Sequence, residues 1–237
     1  MKGKILLNLS DYDLVVFDCD GTLLKSNELK TQALKNSLSD YPKKVVEDFI
    51  HYHKTHGGIS RFTKFQYFFE EIMQIDDYHD VYEDTLRVFS SDSMQKLRTA
   101  PLMPGVPKLL SILAAAGMPL IIASGAAQED LRLTLKELQI EKFFQYIGGS
   151  PDSKTQIVEK FMLKMPSTKI RGLLFGDALS DYETAISLNF KFICVSEDSE
   201  WTELDSFLSC KGETIIENFD DIPVSYTHLT LPTKRIV

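Results

Sequence analysis

The chain has 237 residues, 43% of them hydrophobic and 25% charged, with a formal net charge of −8. That is enough for one large domain or two smaller ones. The acidic balance excludes a general nucleic-acid binder, which needs a basic field. No apolar run approaches the ~20 residues of a membrane span, and Ile5-Leu6-Leu7 is too short for a signal-peptide core, so no membrane partner is expected. Cys19, Cys194 and Cys210 are an odd, scattered set that reads as reduced thiols in a cytoplasmic protein.

The first element is Leu14-Val15-Val16-Phe17, an unbroken apolar run suited to a strand buried on both faces of a parallel sheet. It stops at Asp18-Cys19-Asp20-Gly21-Thr22. Ligands of open α/β sheets bind beyond the carboxyl ends of the strands. Two carboxylates so close together repel, and a cation, a shared proton or a hydrogen-bond network must hold them. Mg²⁺ with a phosphate group suits them, because Mg²⁺ takes one or two carboxylates plus phosphate oxygens. The bland alternative is a solvated turn after a core strand. A calcium loop is excluded because its twelfth position, counted from Asp18, is Leu29. Cys19, alternating with the aspartates, is expected to face the core.

From about residue 24 to about residue 100 the pattern is helical. Leu29, Ala33, Leu34 and Leu38 suit one helical face, and Val45, Val46, Phe49 and Ile50 suit a second after Pro42. Phe62, Phe65, Phe69, Ile72 and Met73 make an aromatic stripe that reads as core. Leu86, Phe89 and Leu97 suggest a fourth helix. This predicts a four-helix insert with its own core. His51, His53 and His56 lie close together, but no carboxylate or cysteine completes a metal site, and a solvated helix is expected. Gly57-Gly58 marks a flexible loop between helices. Arg61 beyond it suits bidentate pairing with an anion; an exposed arginine at a helix-helix turn is the alternative.

Pro101 and Pro104-Gly105 punctuate the return. A helix is predicted over 106–116, then a buried strand over 120–123 ending in Ser124-Gly125. That hydroxyl and glycine amide can both donate to a phosphate. A helix over 127–138 and a short strand at Tyr146-Ile147 follow. Lys154 stands near the start of the next helix and by itself reads as a surface lysine. Leu173-Leu174-Phe175 makes another buried strand, ending in Gly176-Asp177. Asp177 and Asp181 flank the following strand-to-helix junction and can point to one place; helix capping by one of them is the alternative. A helix over 181–188, a strand over 192–195, a helix over 201–208 and a strand over 214–216 complete the alternation. The order predicts an α/β fold, a doubly wound parallel sheet with helices on both faces. Residues 224 to 237 are polar and aperiodic and read as a non-native or disordered tail.

Asp18/Asp20, Ser124, Lys154 and Asp177/Asp181 fall at or just after strand ends, in the order and spacing of four motifs. As a set they resemble the haloacid dehalogenase-like hydrolase superfamily over about residues 10 to 222. The insert after the first motif resembles the cap of the phosphoglycolate phosphatase-like subgroup. The resemblance implies a core domain of residues 1–23 and 101–223 and a helical cap domain of residues 24–100. It also implies a phosphoric monoester hydrolase acting on a small phosphorylated metabolite. In that reading Asp18 is the nucleophile and Asp20 the general acid and base. Mg²⁺ is held by Asp18, Asp177 and the backbone carbonyl of Asp20, with Asp181 in or behind the ligand shell. Ser124, Gly125 and Lys154 bind the phosphoryl group. Arg61, on the cap, is expected to pair with a second anionic group of the substrate. A phosphomutase using the same Asp18 and Asp20 is the alternative. A dehalogenase ranks below it, because dehalogenation does not need Asp20. A non-catalytic binding protein is disfavoured by the intact charges at every motif position.

Overall fold

The structure is a computed structural model, described here for residues 7–222; the tail expectation lies outside the described residues. Six parallel strands form one sheet in the order β3-β2-β1-β4-β5-β6: β1 Leu14–Phe17, β2 Leu120–Ala127, β3 Tyr146–Ser150, β4 Gly172–Gly176, β5 Lys191–Val195 and β6 Thr214–Ile216. The doubly wound parallel sheet expected from the alternation is therefore present.

β1 sits in the middle because its four residues are apolar on both faces. Val15 and Phe17 enter one core cluster with Leu109, Ile122 and Phe175. Leu14 and Val16 enter the cluster on the opposite face with Ile121, Leu174 and Phe192. The period-two alternation of a strand thus fills two cores at once. Cys19 is buried in the first cluster, as its place between the aspartates predicts. β1 pairs with β2 on one side and β4 on the other, Phe17 lying opposite both Ile122 and Phe175. The strand order reverses between β1 and β4, so the crevice of a doubly wound sheet opens at their carboxyl ends.

Between β1 and the helix α5 (Val106–Ala115) come four helices: α1 Asn27–Ser37, α2 Lys43–Thr55, α3 Arg61–Tyr67 and α4 His79–Leu97. α3 runs directly into a π-helical turn, Phe68–Ile72, which the aromatic stripe did not foreshadow. Their apolar faces build a third cluster containing Leu34, Phe49, Phe65, Phe68, Phe69 and Phe89, separate from both sheet cores. Phe49 is fully buried in it, with ring centroids 5.7 Å from Phe65 and 5.1 Å from Phe68. The two strands of chain joining insert to sheet run side by side. Lys25 N–H donates to the Pro101 carbonyl at 3.0 Å and Met103 N–H to the Leu23 carbonyl at 2.9 Å.

The remaining helices are α6 Gln128–Glu137, α7 Lys154–Met162, α8 Leu179–Ser187 and α9 Leu204–Lys211. None of the helices among the described residues is long and apolar enough to cross a membrane.

We propose that residues 24–100 are a separate helical cap domain with independent local stability. Phe49→Ala removes a fully buried ring of this cluster, which costs about 3–5 kcal/mol for a buried aromatic. Amide hydrogen exchange is expected to quicken across α1 to α4 far more than in β1 and β4. Equal quickening in both regions contradicts separate domains.

Candidate active site

The site forms where β1, β2 and β4 end together. Asp18 N–H donates to the Phe175 carbonyl at 2.9 Å, which continues the β1–β4 ladder one residue past the strand and fixes where the Asp18 carboxylate points. Gly21 then turns the chain with φ +78°. A Cβ placed there would lie 2.2 Å from Asn27 Nδ2 and 2.3 Å from Asp177 Oδ2, so a glycine is required on both counts.

Asp18, Asp177 and Asp181 each bring a carboxylate oxygen to within 4.8 Å of the others, and all three are buried. Lys154, the first residue of α7, inserts its ammonium between them, 3.0 Å from Asp18 Oδ1 and 2.6 Å from Asp181 Oδ1. Seen alone in the sequence Lys154 reads as a surface lysine; the structure buries it, because α7 starts where the sheet edge carries this negative charge. Asp181 also accepts the Ala178 N–H at 3.2 Å, so it caps its helix and at the same time points to the same place as Asp177. Thr22 Oγ1 donates to Asp177 Oδ1 at 3.3 Å and Asn27 Nδ2 to its other oxygen at 2.8 Å.

Burial pushes the Asp18 carboxyl well up from its ordinary range; the nearby charges of Asp181 and Asp20 add to this, and Lys154 opposes it. Asp177 is raised for the same reason, burial first and then Asp18 and Asp181. Burial works to lower the Lys154 ammonium, but Asp18 and Asp181 outweigh it and the net direction is up. One ammonium does not balance three carboxylates, and at an effective dielectric of 20 a like-charge pair 4 Å apart costs about 4 kcal/mol. A set of hard oxygen donors with unbalanced negative charge fits a small divalent cation such as Mg²⁺.

The Asp20 side chain is not in this cluster. Its oxygens accept from Ser26 Oγ at 2.7 Å and from the Lys30 ammonium. Asp20 nonetheless lines the same cavity as Asp18, Ser124, Gly125 and Asp177. The strand expected to end at Ser124 runs on to Ala127. Ser124 is buried within it, past the residues that pair with β1 and where the pairing with β3 shifts register, and the Ala126 N–H donates to its Oγ at 3.1 Å.

The insert closes the cavity. Ser180 Oγ donates to the Gly57 carbonyl at 2.9 Å, which seats the glycine loop on α8. Arg61 lines the cavity too, but its guanidinium is already engaged: Nη1 lies 2.6 Å from Asp130 Oδ2, and the group packs over the rings of Phe62 and Phe89. The exposed-turn alternative therefore does not hold, and Arg61 spans from the insert to α6. The solvated-helix expectation fails for His53. Its side chain is largely buried, with Nε2 3.5 Å from Glu200 Oε2 and Nδ1 2.8 Å from Lys64 Nζ. Helical periodicity could not show that the loop before α9 packs there. Among the described residues the histidines belong to no metal-sized cluster.

Sequence reasoning missed Lys30, Glu200 and Lys64. Glu200 accepts from Thr31, Lys54 and His53, three side chains of the insert. Lys64 did leave a signal: it lies three residues after Arg61 and so shares its helical face.

A doubly wound sheet with an acid-and-lysine cluster at its switch point and a helical insert over it defines an enzyme that handles a charged small molecule. The family model described as haloacid dehalogenase-like hydrolase matches residues 15–195, and the chain belongs to that family. It is 24% identical over 192 residues to the phosphorylated carbohydrates phosphatase of Thermotoga maritima, covering 76% of this chain and 83% of the relative. In fold it is similar to a predicted phosphoglycolate phosphatase from Haemophilus somnus, with a TM-score of 0.73, 18% identity, and 90% and 97% of the two chains covered. It is also similar to CbbY from Rhodobacter sphaeroides in complex with xylulose-1,5-bisphosphate, with a TM-score of 0.65, 16% identity, and 88% and 95% covered.

Gly58 provides the test of loop seating. Its φ is +75°, and a Cβ there would lie 2.1 Å from Ser180 Oγ and 2.9 Å from Lys154 Nζ. Gly58→Ala is expected to lower kcat/KM on any phosphate ester by at least about tenfold, the factor 1.4 kcal/mol implies, while thermal melting shows a folded protein. Undiminished kcat/KM would mean that the loop does not need to close on Lys154.

Proposed function

We propose that this enzyme is a Mg²⁺-dependent phosphatase that hydrolyses a small phosphorylated metabolite, of phosphoglycolate or sugar phosphate type, through an aspartyl-phosphate on Asp18. The observation that carries this reading is the buried Asp18 carboxylate, paired at 3.0 Å with Lys154 and opening into the cavity beneath the insert. The names of the Thermotoga maritima relative and of the Haemophilus somnus structure support the substrate class.

In this reading an oxygen of Asp18 attacks phosphorus and the bond to the ester oxygen breaks. Asp20, held by Ser26 and Lys30, gives its proton to the departing alkoxide. Asp20, now a carboxylate, takes a proton from a water, and that water attacks phosphorus. Phosphate leaves and Asp18 is free again. The Ser124 hydroxyl, the Gly125 amide and the Lys154 ammonium hold the phosphoryl oxygens as negative charge builds on them. Asp18, Asp177 and the Asp20 carbonyl would hold Mg²⁺, with Asp181 behind them. When bound, the ion supplies positive charge to the phosphoryl oxygens and to the carboxylates around them. The insert, latched by Ser180 and Asp130, keeps bulk water out.

The test is phosphate release from a panel of phosphorylated metabolites. The wild type is expected to be active with Mg²⁺ and inactive in excess chelator. Asp18→Asn is expected to lose more than about a thousandfold, as removal of a covalent nucleophile does in other enzymes. Activity within tenfold of wild type in that variant would rule out the nucleophile assignment. Isomerised sugar phosphate without released phosphate would instead support the phosphomutase reading.

A further inference from the structure

The cavity wall carries four cationic side chains, Lys30, Lys54, Arg61 and Lys64. Three are neutralised by carboxylates: Lys30 by Asp20, Lys54 by Glu200 and Arg61 by Asp130. Lys64 is the exception, with no ion pair to a carboxylate among the described residues. Its ammonium instead donates to His53 Nδ1 at 2.8 Å and to the His53 carbonyl at 3.3 Å, both neutral acceptors. Lys64 is also 4% exposed. Lysines are almost never buried to this degree without a paired anion, because desolvating the charge is costly. Here burial, then the charge of Lys30, lowers the Lys64 ammonium to about 7, a shift that an incoming anion would oppose. In a chain of net charge −8 the missing anion is conspicuous.

His53 explains how the ammonium is held. Burial, then the charge of Lys64, lowers the imidazole to about 4, so it is neutral. Nε2 faces Glu200 and Nδ1 faces Lys64, which leaves Nδ1 as the acceptor. Lys64 is thereby anchored through two N–H groups, on Nδ1 and on the His53 carbonyl, and the third remains for a ligand. Ser124 and Gly125 line the sheet side of the cavity, with Lys154 against Asp18, and in the proposed reading these hold the phosphoryl group. Lys64 comes from α3 and lines the insert side of the same cavity.

We propose that Lys64 is a specificity-determining residue that binds a second anionic group on the organic part of the substrate, a carboxylate or a second phosphate. The proposal rests on the phosphatase reading and narrows it to doubly anionic phosphate esters. It also moves the recognition expected of Arg61 to its neighbour one helical turn on, since Asp130 already holds Arg61. The missing carboxylate partner is then supplied by the substrate in a charge-assisted bond.

Two matched pairs of esters test it: 2-phosphoglycolate against ethyl phosphate, and propane-1,3-diol bisphosphate against propyl phosphate. Wild-type kcat/KM is expected to favour the doubly anionic member of at least one pair by about tenfold or more. The favoured pair tells carboxylate from phosphate. Lys64→Gln is expected to erase most of that preference. A wild type without preference in either pair, or a Lys64→Gln variant that keeps it, overturns the proposal. If no ester releases phosphate, the phosphatase reading fails. Calorimetric binding of the same pairs to wild type and Lys64→Gln then still decides the role of Lys64, by the same preference or its absence.

Discussion

Everything else in the molecule follows from burying three carboxylates and one ammonium at the meeting point of β1 and β4. Asp18 and Asp177 are neighbours because Phe17 and Phe175 are in register, and Lys154 reaches both Asp18 and Asp181 because α7 starts at the same edge. Such a group is unfavourable in a protein interior unless the geometry is fixed and each oxygen is satisfied. The sheet supplies the fixing. Thr22, Asn27 and the Ala178 amide supply the remaining hydrogen bonds. The excess negative charge suits a cation, and a cation in turn suits a phosphate.

The helical insert answers a different requirement. An anionic ester entering an acidic protein needs positive charge on both sides and protection from bulk water. Three contacts bring the insert down on the sheet: Ser180 with the Gly57 carbonyl, Arg61 with Asp130, and Glu200 with Thr31, Lys54 and His53. Each joins the insert to a different element of the core, so the cavity is walled on several sides. The two connecting segments are hydrogen-bonded to each other, Lys25 to Pro101 and Met103 to Leu23, so the insert leaves and rejoins the core at one place.

Much of this was legible in the sequence because the signals were local. Leu14 to Phe17 is apolar at every position, which a strand buried on both faces requires, and carboxylates stand just past the ends of β1 and β4, with the Ser124 hydroxyl just past the β2 residues that pair with β1. The stripes in the insert have helical spacing and did form one core. Lys154 and His53 misled when read alone, because burial is a property of what packs on a residue from far along the chain. Arg61 was legible as a residue of the cavity, but its pairing with Asp130 across 69 positions was not. The same limit hid Lys64: only the list of partners around each cation shows which one lacks a carboxylate.

The central claim is that Asp18 forms a covalent bond to phosphorus. Its most direct test is the stereochemical course at phosphorus, using a phosphorothioate ester made chiral with sulfur and two oxygen isotopes and hydrolysed in water of the third isotope. Two successive in-line displacements, first by Asp18 and then by water, give overall retention of configuration, and this is the predicted result. Inversion would mean a single displacement by water and would contradict the account.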